Sequence, residues 1–372
     1  MAQRALRIHE LELGCHREWQ AYVDRHPEGT FFHGFAWKRA VERTFGHRSW
    51  YLFGEQAGRI VGVLPMFEIN SVVAGRFLVS VPYATYGGLL TDDVGGGFRI
   101  DEAGARKDSR TSDSRAGEIA EALFNKAKAI AGQVRAQSIE LRSVSATISS
   151  VKVLHTHATY RKELPAREED VLSQLPRKAR AAARRATERY ELSVEFDRGL
   201  LPVVWRLYAR SMRRLGSVNY PYQFFEELVR ASGENNVVQV VKHGGRPVAG
   251  LLTFLYRDTV LPYFSGLDER EQIYGLNNYL YLESMRWGVR HGYRCYDFGR
   301  TRLDNAGCSD FKRFCGFEPQ ELEYQNYVLP GRRAPDLSPS SPRWTAARRV
   351  WRMLPLPITR PVGGWLTKSI PG

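Results

Sequence analysis

The sequence predicts an α+β protein built as two similar domains, on three observations. The succession of helix, strand meander, helix and strand occurs twice along the chain. One succession ends and the next begins near residue 155, which sets domains of 1–155 and 156–330 and leaves a tail of 331–372. Hydrophobic residues make up 43% of the 372, with aromatics at 12%, enough to fill the cores of domains this size.

In the first succession, His16–Phe45 reads as helical. Trp19, Tyr22 and Val23, then Phe35, Trp37, Ala40 and Val41, recur at i+3 and i+4 spacings. Strands follow at Ser49–Gly54, Arg59–Ile69 and Arg76–Leu90, the first two joined through Gln56-Ala57-Gly58. Residues 91–117 are rich in Gly, Ser and charge, the composition of a flexible insertion. A helix over Glu118–Gln137 and a strand over Ser138–Val144 complete the unit. In the second succession, Pro176 suits the first turn of a helix running to Tyr190. A strand at Leu192–Phe196 and helices at Leu201–Leu215 and Tyr222–Ala231 come next. Strands at Asn236–Lys242 and Arg246–Tyr256 flank a Gly244-Gly245 turn, and Thr259–Ser265 is a third. Then come a helix at Leu276–His291, a strand at Arg294–Phe298, a loop, and a last strand at Glu321–Leu329. Residues 331–342 read as a Pro/Ser linker. Ser341 caps a final helix over residues 342–354, which Pro355 stops.

Charge narrows the partners. The net charge is +14, of which residues 331–372 supply half through eight cations and one acid. That balance favours anionic partners: nucleic acid, phosphorylated substrates or an acidic membrane surface. No apolar run approaches the ~20 residues of a membrane span, and no signal peptide is visible, so a cytoplasmic protein is expected. Cys15, Cys295, Cys308 and Cys315 form no CxxC pair and are too few for a disulfide scaffold.

Three places could carry chemistry. Tyr293–Pro319 is the densest polar stretch. There Asp297 ends a short strand, Gly299 allows a sharp exit, and Arg300, Asp310 and Lys312 follow. Asp297 reads either as a functional carboxylate or as a loop cap paired with Arg300. Gln272, Gly275 and Asn277 sit in a strand-to-helix turn that exposes backbone N–H groups, an anion site or simply a turn. The helix Pro176–Tyr190 carries a small-residue stripe of Ala179, Ala182, Ala183 and Ala186. Six cations, among them Arg177 and Arg180, stand there against one acid, Glu188, fit for phosphate recognition or for a solvated face. His155 and His157 lack a third ligand, so no metal site is expected, and Cys315 reads as a buried bystander thiol. No Walker A, GxGxxG, GxSxG or HExxH motif occurs.

These stretches resemble a known group. Trp50–Leu90, with VGVLPMFEI and GRFLVSVPYATYGGLL, resembles the first domain of Fem-type acyltransferases. The basic helix, NNYLYLESMRWGVRHGYRCYDFGRT, FKRFCGFEP and YQNYVL resemble their second domain. The resemblance covers about residues 5–330 and is nearest to the FemAB-related proteins associated with exosortase and PEP-CTERM systems. It implies two tandem GNAT-like domains and transfer of an acyl or aminoacyl group to an amine of a cell-envelope polysaccharide or peptidoglycan precursor. Acyl-CoA or aminoacyl-tRNA would be the co-substrate, with no permanently bound cofactor. Residue by residue, Lys312 matches the lysine of the family's FK motif, Asp297 and Arg300 its DFGR end, and Arg177 and Arg180 the positions facing substrate phosphates. Gln272 and Gly275 resemble a degenerate GNAT pyrophosphate loop. Asn277 departs from the usual Gly or Ala, which counts against tight CoA binding. A single active centre in the second domain is expected, with Tyr263 or Tyr220 as proton donor and Tyr83 and Tyr86 either lining the cleft or packed.

Two other readings compete: an aminoacyl-tRNA-dependent peptidoglycan aminoacyltransferase, and a basic nucleic-acid-binding module without catalysis. For the tail, Trp344, Ala347, Val350, Trp351 and Leu354 share one helical arc. Arg348, Arg349 and Arg352 share the opposite one, with Arg343 near the edge. The arc either docks on the protein itself or lies on an anionic membrane surface, which is the expectation here.

Overall fold

The computed structural model describes residues 5–12, 14–72, 74–92, 115–333 and 342–370. Most of the expected insertion and linker lies outside these residues. The chain forms two compact units, Met1–His155 with Leu322–Leu337 and Lys368–Gly372, and Thr156–Glu321 with Ser338–Thr367.

The first unit contains β1 (Arg7–Glu10), α1 (His16–Arg25), α2 (Phe35–Phe45), β2 (Ser49–Gln56), β3 (Arg59–Ser71), β4 (Gly75–Val79), β5 (Leu90–Thr91), α3 (Arg115–Gln133) and β6 (Ser138–Leu141). The stretch expected to be helical over 16–45 forms two helices, α1 and α2. His26 is extended and Phe31–His33 makes a tight 3₁₀ turn, because Pro27 and Gly29 interrupt the ladder. The strand expected over 76–90 stops at Val79, and β5 is all that resumes it. The apolar stripe of α3, through Ile119, Leu123, Phe124 and Ala127, packs on Leu52, Leu64, Leu78 and Ile139 of the sheet. Each such side chain, fully buried, contributes roughly 1.5–3 kcal/mol. Gly62 makes that approach feasible: a Cβ there would stand 2.7 Å from Ile119 Cγ2.

The second unit contains β7 (Val153–Glu163) from Thr156 onward, α4 (Asp170–Ser173), α5 (Arg177–Arg189), β8 (Leu192–Phe196), α6 (Leu201–Leu215), α7 (Tyr222–Ser232), β9 (Asn236–His243), β10 (Arg246–Tyr256), β11 (Thr259–Leu267), α8 (Leu276–Arg290), β12 (Cys295–Asp297), β13 (Thr301–Arg302) and α9 (Ala306–Phe314). Its sheet runs β7-β12-β11-β10-β9-β8. The helices α5 and α8 cover one face, where Ala179 and Ala183 meet Leu282, Met285 and Tyr296. The other face takes α6, held close by Gly250 and Gly266, whose added Cβ atoms would stand 3.1 Å and 2.2 Å from α6 backbone. The stretch after β12, expected as a loop, holds α9, capped by the Asn305 side chain on Cys308 N.

Two assignments are corrected. The last strand, β14 (Pro319–Val328), belongs from Leu322 onward to the first unit, not the second. Its Gln325–Val328 pair antiparallel with β6, and Gln325 Oε1 accepts from Thr147 N at 2.8 Å and Ile148 N at 3.1 Å. The tail is not a separate appendage. It forms α10 (Pro342–Met353) and α11 (Leu356–Thr367), both part of the second unit.

His47 makes the first unit sensitive to acid. His47 is buried against Tyr83 Oη at 2.7 Å, and burial, then Lys368, lowers its pKa to about 4. Between pH 6.5 and 4 the unfolded chain therefore holds more protons than the folded one, so stability falls on acidification. His47→Gln, which keeps a partner for Tyr83 without titrating, is expected to flatten that slope of at most ~1.4 kcal/mol per pH unit. Unfolding midpoints measured across pH 4–7 check it, and identical slopes in the two proteins would refute the assignment.

Candidate functional site

The site begins where two strands part. β11 pairs in parallel with β12 only at Thr259–Cys295 and Val260–Tyr296, then runs on to Leu267 paired with β10 alone. Beyond the end of β11 lies an open pocket of about 290 Å³, lined among others by Asp268, Gln272, Gly275, Asn277, Asn278 and Phe311. Three residues read from the sequence as a phosphate loop, Gln272, Gly275 and Asn277, thus meet in one pocket.

That pocket sits on the N-terminus of α8. No side chain caps this helix, and Gly275 at its N-cap has φ +79°. The first-turn N–H groups of an uncapped helix carry partial positive charge toward whatever fills the space ahead. Gly275 also answers to packing, since an added Cβ would stand 2.3 Å from Ala182 O of α5. The turn reading and the anion reading of this glycine are therefore compatible. The same contact brings the basic helix to the pocket: Arg185 lies 5.2 Å over the Tyr274 ring, and Tyr274 N donates to Tyr190 Oη at 3.3 Å. The alanine stripe of α5 is buried as its spacing requires, with Arg177 exposed and Arg180 half-buried.

Asp268, which sequence reasoning missed, organises the loop ahead of α8. Its carboxylate takes Arg270 Nε at 2.9 Å and Nη2 at 2.6 Å, and Arg210 Nη1 at 2.5 Å. The Arg270 hydrogen bond, followed by Arg210, holds its pKa below the usual carboxylate value.

Lys312 follows Phe311, one of the pocket's lining residues, on α9. It is 5% exposed, and its ammonium donates to Gly299 O at 2.8 Å, Phe298 O at 2.9 Å and Arg300 O at 3.4 Å. Burial lowers its pKa to about 8. The side chain straps down the segment leaving β12. Asp297 does the same from the other end: 2% exposed, it accepts from Gly299 N at 2.8 Å and Thr159 Oγ1 at 3.2 Å. Its ion-pair partner is Arg161, at 3.6 Å. These contacts, with Arg161 among them, are those of a loop cap, the second of the two sequence readings of Asp297. Arg300 is half-buried and enters the strap through its carbonyl.

A tyrosine cluster occupies the α6 side of β11. Register between β10 and β11 slips between Leu252–Phe264 and Thr253–Pro262, leaving Tyr263 as the extra residue of a β-bulge. Tyr263 packs on Phe254 and Phe264, and Tyr220 on Tyr208 and Phe264. Burial, then the neighbouring Tyr220 and Tyr263, push the Tyr208 phenol well above its usual pKa. Tyr208 and the bulge were not legible in the sequence. Neither was the pair Tyr281 Oη–Ser265 Oγ, 3.1 Å apart, whose phenol burial pushes up to about 12.

Other expectations fall elsewhere. Tyr83 and Tyr86 are 2% and 3% exposed within the first unit, Tyr83 against Phe45 and His47 and Tyr86 against Phe32. The stretch following β4 and β6 in that unit is held by buried Arg142, which reaches Val81 O and Ala84 O at 3.4 Å each. Cys315 is buried and burial pushes its thiol to about 12, far from a nucleophile's range. Among the described residues no group of three or more metal-ligating side chains occurs.

Comparison with known proteins matches residues 173–313 to a family described as an acetyltransferase (GNAT) domain. None of the curated proteins compared with the chain matches it. Among solved structures, FemX is similar at TM-score 0.60 and 15% identity over 87% of this chain and 97% of its own. A tandem GNAT protein from the clavulanic acid biosynthesis pathway is similar at TM-score 0.54 and 13% identity, covering 87% of this chain and 98% of its own. L-PGS from Bacillus licheniformis is similar at 0.52 and 12% identity, covering 94% and 96%. The fold is that of tandem GNAT proteins.

Proposed function

We propose that this chain, whose second unit carries a GNAT acetyltransferase domain, transfers an acyl or aminoacyl group from an activated donor to an amine. One observation carries the reading: β11 and β12 part beside an uncapped helix N-terminus and its pocket, inside the segment that matches the acetyltransferase family. The donor's phosphates would sit on the N–H groups of Asn277 and Asn278, with the cations of α5 alongside. The donor's acyl group would lie in the opening between the parted strands. There the amine nitrogen attacks the carbonyl carbon, the bond to the leaving sulfur or oxygen breaks, and the amine's proton ends on the leaving group. Tyr263, placed by the bulge, is assigned to pass that proton, with Tyr220 beside it. Lys312 and Asp297 act as positioning residues, because their polar atoms are engaged in holding the 298–300 segment.

Acyl-CoA is the donor a GNAT domain uses, and the pocket suits its pyrophosphate. A specific observation favours aminoacyl-tRNA as a second reading: α5, which packs against Gly275 of the pocket, carries six cations against one acid. The acceptor, an amine of an envelope polysaccharide or peptidoglycan precursor, follows from the sequence resemblance to FemAB-related proteins of exosortase and PEP-CTERM systems. Donor binding decides between the two sources. Calorimetric titration with CoA, and filter binding of aminoacyl-tRNA, are expected to show saturable binding of one that Arg177→Ala/Arg180→Ala weakens. Mass spectrometry of precursors accumulating in a deletion strain then identifies the acceptor. RNA binding without any acyl transfer, and with a salt slope lowered by the arginine substitutions, would overturn catalysis in favour of a nucleic-acid module.

A further inference from the structure

The second tail helix is amphipathic in the reverse sense. Its inward arc is Thr359, Gly363 and Thr367, all buried against the second unit. Thr367 Oγ1 donates to Asn219 O at 3.0 Å, and a Cβ on Gly363 would stand 2.5 Å from Asn219 Oδ1. The outward arc carries Ile358, Val362 and Trp365, the last 62% exposed. α10 behaves alike. Trp351 Nε1 donates to Ser217 O at 3.0 Å, and Arg348 and Arg352 reach Leu215 O, at the C-terminal end of α6, at 3.4 and 3.2 Å. Val350 and Met353, the latter 71% exposed, face out. The expected arc is therefore corrected: Trp351 docks, two of the arginines dock with it, and a different apolar face is presented. The Trp344 side chain lies outside the described residues.

Docking on α6 explains the inward threonines but not an outward tryptophan. The charge of the segment selects its occupant. Residues 337–372 hold six cations and no acid. Arg349 is exposed on α10, and Arg206 and Arg210 of α6 stand close enough to Arg360 to disfavour its charge further after burial. Such a face repels its own copy and attracts lipid phosphate. No helix among the described residues is long and apolar enough to cross a bilayer. We propose that the outer face of α10 and α11 lies in the headgroup boundary of an anionic membrane, with Met353, Ile358 and Trp365 at the acyl edge and Arg349 on a phosphate.

Full-length protein is tested by co-sedimentation with vesicles of phosphatidylcholine alone and of phosphatidylcholine mixed with phosphatidylglycerol. The expected result is binding to the mixed vesicles only, weakened by high salt and lowered at least tenfold by Ile358→Glu/Trp365→Glu with circular dichroism unchanged. Equal binding of variant and parent, or no binding of the parent, overturns the proposal. Sedimentation equilibrium showing a dimer that the same substitutions dissolve, without vesicle binding, assigns the face to a second copy instead.

Discussion

Lys312→Met is expected to lower acyl transfer about 100-fold and to destabilise the second unit by roughly 2 kcal/mol. Both effects come from the same contacts. The ammonium donates to Phe298 O, Gly299 O and Arg300 O, and Met leaves these carbonyls without that donor. The sequence alone leads to loss of transfer with the fold intact; burial of the side chain at 5% exposure adds the expected cost in stability. The pH dependence separates this strap from a merely bulky side chain. Burial lowers the Lys312 pKa from 10.5 to about 8, so between those values the unfolded chain binds the extra proton. Parent stability relative to Lys312→Met therefore rises from pH 8 to 10.5, by at most ~1.4 kcal/mol per pH unit, and levels off below 8. Paired denaturant titrations across that range, with transfer assays at each pH, measure it. A stability difference that stays flat, or full transfer in the variant, would remove Lys312 from the site.

Gly275→Ala is the second large effect. The backbone there has φ +79°, and the new methyl would lie 2.3 Å from Ala182 O. A left-handed alanine alone costs about 1–2 kcal/mol. The clash adds to it, because the obstacle is backbone and α5 must move away from α8. We expect a total loss of about 3 kcal/mol and at least a tenfold fall in donor affinity. Gly292→Ala is the control, with φ +82° but nothing within 4 Å of its added Cβ, so it should show the conformational cost alone. Chemical denaturation of both variants and calorimetric donor titration decide the matter; equal losses in the two would leave the α5–α8 contact without weight.

Much of the architecture was legible because it is written locally. The strands and helices around Gly244-Gly245 follow from period-2 and period-3.6 patterning, and the alanine stripe of α5 is buried as its spacing demands. Gly275 was legible as a strand-to-helix turn beside a candidate anion site. What stayed hidden was non-local. α9 read as a loop because Gly307 falls in its first turn and Gly316 just beyond its end, and α11 was missed because Pro357 and Pro361 look like breakers, although Pro357 falls in its first turn. Asp268 carried no signal of its own, because Arg210, the partner that meets it, stands 58 residues earlier in the chain.

The sequence by itself therefore determined the duplicated α+β order, the basic helix, the strand-to-helix turn at Gly275 and the strand that became β11. Each is a matter of which side chains share a face, and period alone sets that. Only the tertiary structure decided that Gln325–Val328 pair with β6, that the Lys312 ammonium serves three backbone carbonyls, and that Trp351 faces in while Trp365 faces out. Those outcomes depend on which surface a face meets, and chain segments far apart in sequence supply that surface. An amphipathic pattern names a face; burial of backbone carbonyls and close approach at glycines choose its partner.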